Sequence, residues 1–437
     1  MIATTALLDF AHAPHSLPAA VRADTERLLG DTLAVGAAGA ASPAGRVVLA
    51  AVTGWGSGDD ARALGVADRL PAPSAAFFNG FAIHCLEWDA VHEPAVVHAL
   101  SVVTAAVGAA IDRRGGCDTA EALAAIAVGV DVASGLGIAA TSALRFFRPA
   151  TAGCIGAALA VARIEGLSRS QFDDVLGAAY SACAGTMQAH VEGSVALPLQ
   201  VATAARAALC AVDLVRAGLT GPHDALEGPY GYFKLIDEGD LATYTRDLGR
   251  VWRIAEVSTK PYPSGRASHA TLGTLAALRA EGVIAPDRIA TIHAEVPPLI
   301  ARLVGRPPMP EMSPAYARLC LPFLTALMLR DGMIDPRCFT SGQFADPTLR
   351  ALAEKLTVSV DTNPDLNALS PQRLTIALTD GTRIERAIAD TLGSPGAPLD
   401  AASATAKQRL ARALADPAAD PRLFDAPLAY LTQTEPQ

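Results

Sequence analysis

From Ser16 to about Gly249 the chain is a succession of Ala-, Leu- and Val-rich segments whose apolar residues recur at helical spacing. Gly, Pro or Asp cut the segments apart, as at Pro71 to Pro73, at Gly115 with Gly116, and at Gly166. A chain written this way folds as packed helices. Hydrophobic residues make up 51% of it and aromatics only 5%, so small side chains carry the apolar excess, and helices can approach closely. A large buried area and a subunit interface are expected. Ser168, followed three residues later by Gln171, forms a capping box and opens a helix running towards Cys183. The pattern changes after Trp252. Ile289 to Val296, Leu356 to Val360 and Leu374 to Leu378 are β-branched or alternating, and Asp380-Gly381 is a turn dipeptide. A smaller α+β domain is implied there, and Ala404 to Leu414 then returns to helix with Lys407, Arg409 and Arg412 as its charged positions.

Several classes of function are disfavoured at once. The formal net charge is −9 with no Lys/Arg-rich run, so no nucleic-acid partner is expected. Seven scattered cysteines without a CxxC pair suit free thiols in a reducing cytoplasm. The first residues carry no basic stretch and are broken by Asp9, His12 and Pro14, unlike a signal peptide. The apolar stretch Leu123 to Ala140 contains Asp131 and three glycines, which fits a buried helix better than a membrane span. A soluble cytoplasmic protein with no membrane partner is the expectation.

Chemistry concentrates between Asn79 and His98, where His84, His92 and His98 stand with Glu87, Asp89 and Glu93 in apolar surroundings. A helix from near Ala75 to about Trp88 would put His84, Glu87 and Trp88 within one turn, with Asp89, His92 and His98 on a loop at its end. Crowded acids and imidazoles suit general acid/base work, because neighbouring charge and partial burial tune their pKa values. A solvated surface cluster remains open, and His84, flanked by Ile83 and Cys85, reads as a core histidine. His92 and His98 are six residues apart with Pro94 between them, which is not the spacing of a zinc helix. No metal is expected.

Phe78-Asn79-Gly80, His84, Glu87-Trp88-Asp89, His92 and Val97-His98 together resemble one block of the MmgE/PrpD family. Further blocks agree in order: Phe147 to Gly153 with Gly156-Ala157-Ala158, Gly185 to Gln188, Leu226 to Phe233, Lys260 to His269, and Arg318 with Leu321 to Phe323. The resemblance implies an all-helical domain formed by both ends of the chain with an inserted smaller α+β lid, and a homodimer with its active site between the domains. On this chain that corresponds to 1–258, 259–395 and 396–437. It also implies small di- or tricarboxylate substrates handled without metal or organic cofactor, in reactions such as 2-methylcitrate dehydration, cis-aconitate decarboxylation and iminodisuccinate epimerisation.

The departures are specific. Glu87 stands for an Asp, Ala90 for the last acid of its stretch, and Arg148 for a His, with Ala150 before Thr151. Leu197 and Gln200 replace a Lys and a His, and Phe323 an aromatic hydroxyl. The expected site has His98, oriented by Asp89 or Glu87, as acid or base, with Lys260 and Arg266 holding carboxylate. His269 is the second proton carrier and Arg148 a fixed positive charge, while His92, Thr151, Gln188, Tyr230 and Tyr262 complete the substrate contacts. Plainer roles compete: Lys260 as a solvated linker residue, Arg266 and His269 on the solvated face of a helix starting near Ser264, and the two tyrosines as loop packing. A lyase is the leading expectation, with an epimerase or isomerase and a non-catalytic dimeric scaffold as alternatives.

Overall fold

Small side chains decide how the helices come together over residues 2–434, the span that the computed structural model describes. The helix Thr119–Ala139 crosses Arg148–Ile164 at Gly129 and Gly156. A Cβ on Gly156 would stand 2.3 Å from the Gly129 carbonyl oxygen, so at this crossing backbone touches backbone. By length and composition Thr119–Ala139 and Ala196–Arg216 could each cross a membrane, but 94% of the apolar window of the first is buried inside the protein. Its Asp131 accepts from the Tyr244 hydroxyl and from the Arg253 amide, each at 2.8 Å. Burial outweighs these bonds and lifts its carboxyl to about 6.

Ala72–His84 is the central helix, buried at every position except Pro73. A helix apolar all round needs neighbours all round, and it has them in Ala19–Ala40, Ala99–Arg113 and Ala196–Arg216. It ends at His84, four residues short of the expected end at Trp88, because Glu87 adopts a left-handed φ of 54° that no helix can continue through. Beyond it, Val91–His92 pairs antiparallel with Val257–Ser258.

About 55% of the chain is helix and 10% strand. Its apolar side chains form two cores. One gathers residues from Leu7 to Val257 with Leu319, Ala411, Leu423 and Leu431; the other gathers Leu144 with residues from Ala267 to Ile384. The helix Ala401–Leu414 lies against Ala19–Ala40, where Lys407 Nζ meets Asp31 Oδ1 at 2.6 Å. In the second core a four-stranded sheet runs in the order Leu356–Val360, Ile289–Val296, Gln372–Leu378, Arg383–Ile388. The first pairing is parallel and the others antiparallel, and Gly381, at φ 89°, makes the last turn. The strand Arg383–Ile388 has no sequence signal because only Ile384 in it is buried.

Adding a methyl group at the helix crossing should be destabilising. Gly156→Ala is expected to lower unfolding free energy by about 1–3 kcal/mol. At Gly273 in His269–Ala280 a Cβ would meet only Leu392 Cβ, at 3.6 Å, so Gly273→Ala should stabilise by roughly 0.5–1 kcal/mol. Denaturant titration of the two variants reads both signs.

Candidate active site

The end of the central helix and the start of the next one converge on a single carboxylate. Asp89 Oδ2 accepts from His84 Nδ1 at 2.9 Å, from His98 Nδ1 at 3.0 Å, and from the Ser101 hydroxyl. His84 closes Ala72–His84, His98 immediately precedes Ala99–Arg113, and Ser101 lies in the first turn of that helix. An ionised carboxylate only accepts, so both imidazoles carry hydrogen on Nδ1 and leave Nε2 for other work. The two rings meet edge to face with centroids 4.8 Å apart. Asp89 is wholly buried; 13% of the His98 side chain remains accessible.

Across the Val91–His92 ladder the chain delivers Lys260, also wholly buried. Its Nζ donates to the Glu87 carbonyl at 2.9 Å, to Glu87 Oε2 at 3.2 Å and to the Ser264 carbonyl at 3.3 Å, and it stands 3.8 Å from Asp89 Oδ1. The grip on the Glu87 carbonyl holds that residue in its left-handed conformation. Glu87 and Val96, both at φ 54°, are the only non-glycine residues with positive φ among the described residues. Both border the same cavity, so the backbone strain is concentrated at this site.

These neighbours separate the titrations of the two histidines. For His84, burial opposes the charged form, but Asp89 and Glu87 outweigh it and hold the pKa above the usual 6.5. For His98, burial joined by Lys260 and His84 outweighs Asp89 and draws the pKa below 6.5. Burial likewise opposes charge on Glu87, yet Lys260, His84 and His98 bring it down to about 2; Asp89 is held well below the usual range by the same two histidines. One imidazole keeps its proton and the other offers a lone pair. Donor atoms of His84, Asp89 and His98 lie within 4.8 Å of one another, near enough for a metal ion to bridge. Among the described residues, His84 Nε2 and Asp89 Oδ1 have no hydrogen-bond partner, and the cation already beside that oxygen is the Lys260 ammonium, 3.8 Å away.

Two cavities meet at this cluster. An inner one of about 60 Å³ is bordered by His98, Glu87, His84, Met187, His190 and Arg266 among others; an outer one of about 490 Å³ is bordered by His84, Glu87, Ser42, Ser194 and Arg318 among others. His84, Glu87, Leu197 and Leu319 belong to both and form the partition between them. The outer volume lies in the range of small-molecule sites.

Of the residues predicted from sequence, His98, Glu87, Asp89 and Lys260 are brought together, with Lys260 and Asp89 behind the cavity wall rather than on it. Lys260 is no solvated linker, and with its three donors used it positions Glu87 instead of holding carboxylate. Arg148 borders the inner cavity, but all five of its N–H donors are taken, by Asp237, the Ser142 and Ala95 carbonyls, and Asn367. None is left for a ligand. Arg266 also borders it, anchored by Glu93 at 2.8 Å and by the Thr391 and Leu392 carbonyls. His269 is buried against Ser264, its pKa driven far below 6.5 by burial and Arg266, and it borders neither cavity; the expectation of a second proton carrier there is corrected.

His92 is a buckle, not a ligand group: it bonds Glu256 at 2.8 Å and accepts from the Ala95 amide at 3.2 Å. Thr151 bonds the Tyr232 hydroxyl at 3.1 Å inside the helical body. Tyr262 packs edge-on against His269, and Tyr230 is 78% exposed. Gln188 points outward to Glu192 at 2.5 Å. In the same short helix, Gln188–Glu192, His190 faces the inner cavity instead, where burial and Arg306 bring its pKa down to about 4. Sequence reading missed His190 because two residues of helical phase separate it from Gln188. It passed over His84 because a buried histidine in an apolar run has the same signature whether it packs or reacts.

Two family models match the chain: the MmgE/PrpD N-terminal domain over residues 7–245 and the MmgE/PrpD C-terminal domain over residues 262–422. Among curated proteins it is similar to the cis-aconitate decarboxylase of Homo sapiens, 29% identical over 335 residues covering 72% of this chain and 67% of that protein. The cis-aconitate decarboxylase of Mus musculus is 27% identical over 377 residues, 82% of this chain and 75% of that one. That of Aspergillus terreus is 25% identical over 410 residues, 87% and 83%.

Asp89→Asn leaves three donors facing an amide and removes one partner of a buried ionic cluster, so it should lower unfolding free energy by about 3–5 kcal/mol. Because the folded pKa values of Asp89 and Glu87 are depressed, the stability they give is present above the ordinary carboxylate range and disappears as pH falls through the folded values. Thermal unfolding against pH should show the gap between wild type and variant narrowing as pH falls below about 4, and also shrinking as pH rises through the raised His84 titration, which Asp89 supports.

Proposed function

Because the chain belongs to the MmgE/PrpD family, with both domain models matching, we propose that it is a lyase that removes carbon dioxide or water from a small di- or tricarboxylate by acid/base chemistry next to a carboxylate. The observation that carries this reading is one buried carboxylate orienting two imidazoles of opposite pKa shift at the partition between two cavities. His98, with Nδ1–H fixed on Asp89, presents Nε2 as the group that takes or returns the proton at carbon. His84, kept protonated by Asp89 and Glu87, supplies positive charge beside the carboxylate that becomes enolate-like. His190 has Arg306 Nη2 3.3 Å from its Nδ1, so its remaining Nε2–H can donate a hydrogen bond into the inner cavity. The relatives named cis-aconitate decarboxylase favour loss of carbon dioxide.

His84 and His98 share one carboxylate instead of facing each other across the cavity, which supports elimination over a two-base epimerisation. The chemistry so drawn uses this chain's own protons and cations, so turnover is expected to survive a chelator. A homodimer is also part of the reading, supported by exposed Val191, Val195 and Leu199 along one stretch of surface. Light scattering should give twice the chain mass of 44.9 kDa.

Purified protein incubated with cis-aconitate or 2-methylcitrate in heavy water is the direct test. Carbon dioxide release, or a new alkene, supports the lyase; deuterium exchange next to a carboxylate with neither product sinks it in favour of the epimerase. His98→Ala should lower kcat by about 10²–10⁴-fold, and it should also lower the melting temperature because it takes one donor from buried Asp89. Since His98 must be unprotonated and its pKa is lowered, kcat/KM should rise with pH along a limb below 6.5. Since His84 must be protonated and its pKa is raised, it should fall along a limb above 6.5. A profile without the acid limb would remove His98 from the role of base.

A further inference from the structure

Arg318 is buried and has no counter-ion. The residue is 8% exposed, its Nε has no hydrogen-bond partner, and among the described residues its guanidinium makes neither a side-chain hydrogen bond nor an ion pair. It lies over the Phe339 ring, 4.7 Å from the centroid. Its backbone is pinned, with the amide on the Pro314 carbonyl and the carbonyl receiving the Gly265 amide. Other buried arginines here are matched: Arg148 by Asp237, Arg266 by Glu93, Arg62 by Asp112. A cation held out of water without a partner is unfavourable, and burial does hold the Arg318 pKa below its ordinary value. A position kept that way is one in which the counter-ion arrives from outside.

The outer cavity is where it would arrive. Arg318 borders that cavity together with Glu87 and His84, so the unpaired guanidinium and the acid/base cluster open on one volume of about 490 Å³. Three arginines border it and one carboxylate, and that carboxylate, Glu87, is already neutralised by Lys260 at 3.2 Å. The other two arginines are engaged. Arg337 is closed by Asp335 at 2.5 Å, and Arg46 gives Nε and Nη2 to the Ala41 carbonyl at 3.1 and 2.7 Å. Arg318 alone among the three keeps its fork of donors open.

We infer that Arg318 is a carboxylate-binding residue: a small polycarboxylate enters the outer cavity, one carboxylate pairs with the Arg318 fork, and the opposite end reaches past Glu87 and His84 towards His98. A planar guanidinium matches a carboxylate with two parallel N–H···O bonds, which fixes orientation as well as charge. The inference rests on the lyase reading only for the identity of the reacting end; the anion site stands on its own geometry. It takes over the anion-holding role expected of Arg148 and Lys260, whose donors are all used within the protein, while His84 keeps its place beside the reacting end.

Tricarballylate, a saturated tricarboxylate with no alkene to react, is the probe. It is titrated calorimetrically into the full chain as wild type, Arg318→Met, Arg318→Lys and Arg46→Met. Wild type should bind it; Arg318→Met should weaken binding at least about tenfold, Arg318→Lys less, and Arg46→Met less than about twofold. Without ligand, Arg318→Met should melt at or above the wild-type temperature, since it removes an unpaired buried charge. No binding by wild type, or equal binding by wild type and both Arg318 variants, overturns the inference, as does a large loss of ligand-free stability in Arg318→Met. Turnover of cis-aconitate measured in parallel separates the two readings. Arg318-dependent binding without turnover sinks the lyase and keeps the anion site; turnover with unchanged KM in Arg318→Met does the reverse.

Discussion

A single buried carboxylate, that of Asp89, gives parts of the chain that share no other purpose a reason to meet. Taking an ionised carboxylate out of water carries a penalty of several kcal/mol, which only close donors and a nearby cation can offset. Asp89 finds them at the end of one helix, before and within the first turn of another, and in Lys260 beyond a two-residue ladder. The C-terminal helix joins as well, since Lys407 Nζ reaches the Trp88 carbonyl at 3.2 Å while pairing with Asp31. Removing any of these elements would leave a buried charge uncompensated.

The frame around that charge is built from small residues, and the two facts are linked. Helices that touch through Gly129 and Gly156 cannot slide without backbone collision, and close-packed interiors transmit little slack. A frame of that stiffness can hold Glu87 and Val96 in left-handed conformations that a looser one would let relax. Strained backbone then presents Glu87 to both cavities at once.

Much of this was legible in the sequence, and the boundary of legibility is physical. Periodicity revealed the helical body, the buried helix around Asp131 and three of the four strands, because in those places one face is buried and the pattern records it. The crowding of three histidines and three carboxylates singled out Asn79 to His98 as the chemical segment, with Asp89 and His98 in it. What neither could supply is direction. Gln188 and His190 differ by two positions on one short helix, and only the fold says which faces inward. Arg148 looked like a ligand-binding cation until Asp237 and Asn367, distant in sequence, were seen to occupy it. Arg318 is the converse: its distinction is the absence of a partner, which no local pattern encodes. The length of the central helix was overstated for a similar reason, since the Lys260 grip on the Glu87 carbonyl comes from 173 positions away.

That separation has a kinetic meaning. Closing a loop of that length carries an entropic cost before the contact rewards it, so the Lys260 bond to Glu87 depends on the rest of the fold bringing residue 260 to the site. During synthesis the helices around Ala72–His84 can condense long before residue 260 exists to join them. In that interval Asp89 has its histidines but no ammonium, and the shifted pKa values that depend on Lys260 are not yet in place. The closing of a two-residue ladder therefore completes the charge environment of the cluster, which neither part of the chain carries on its own.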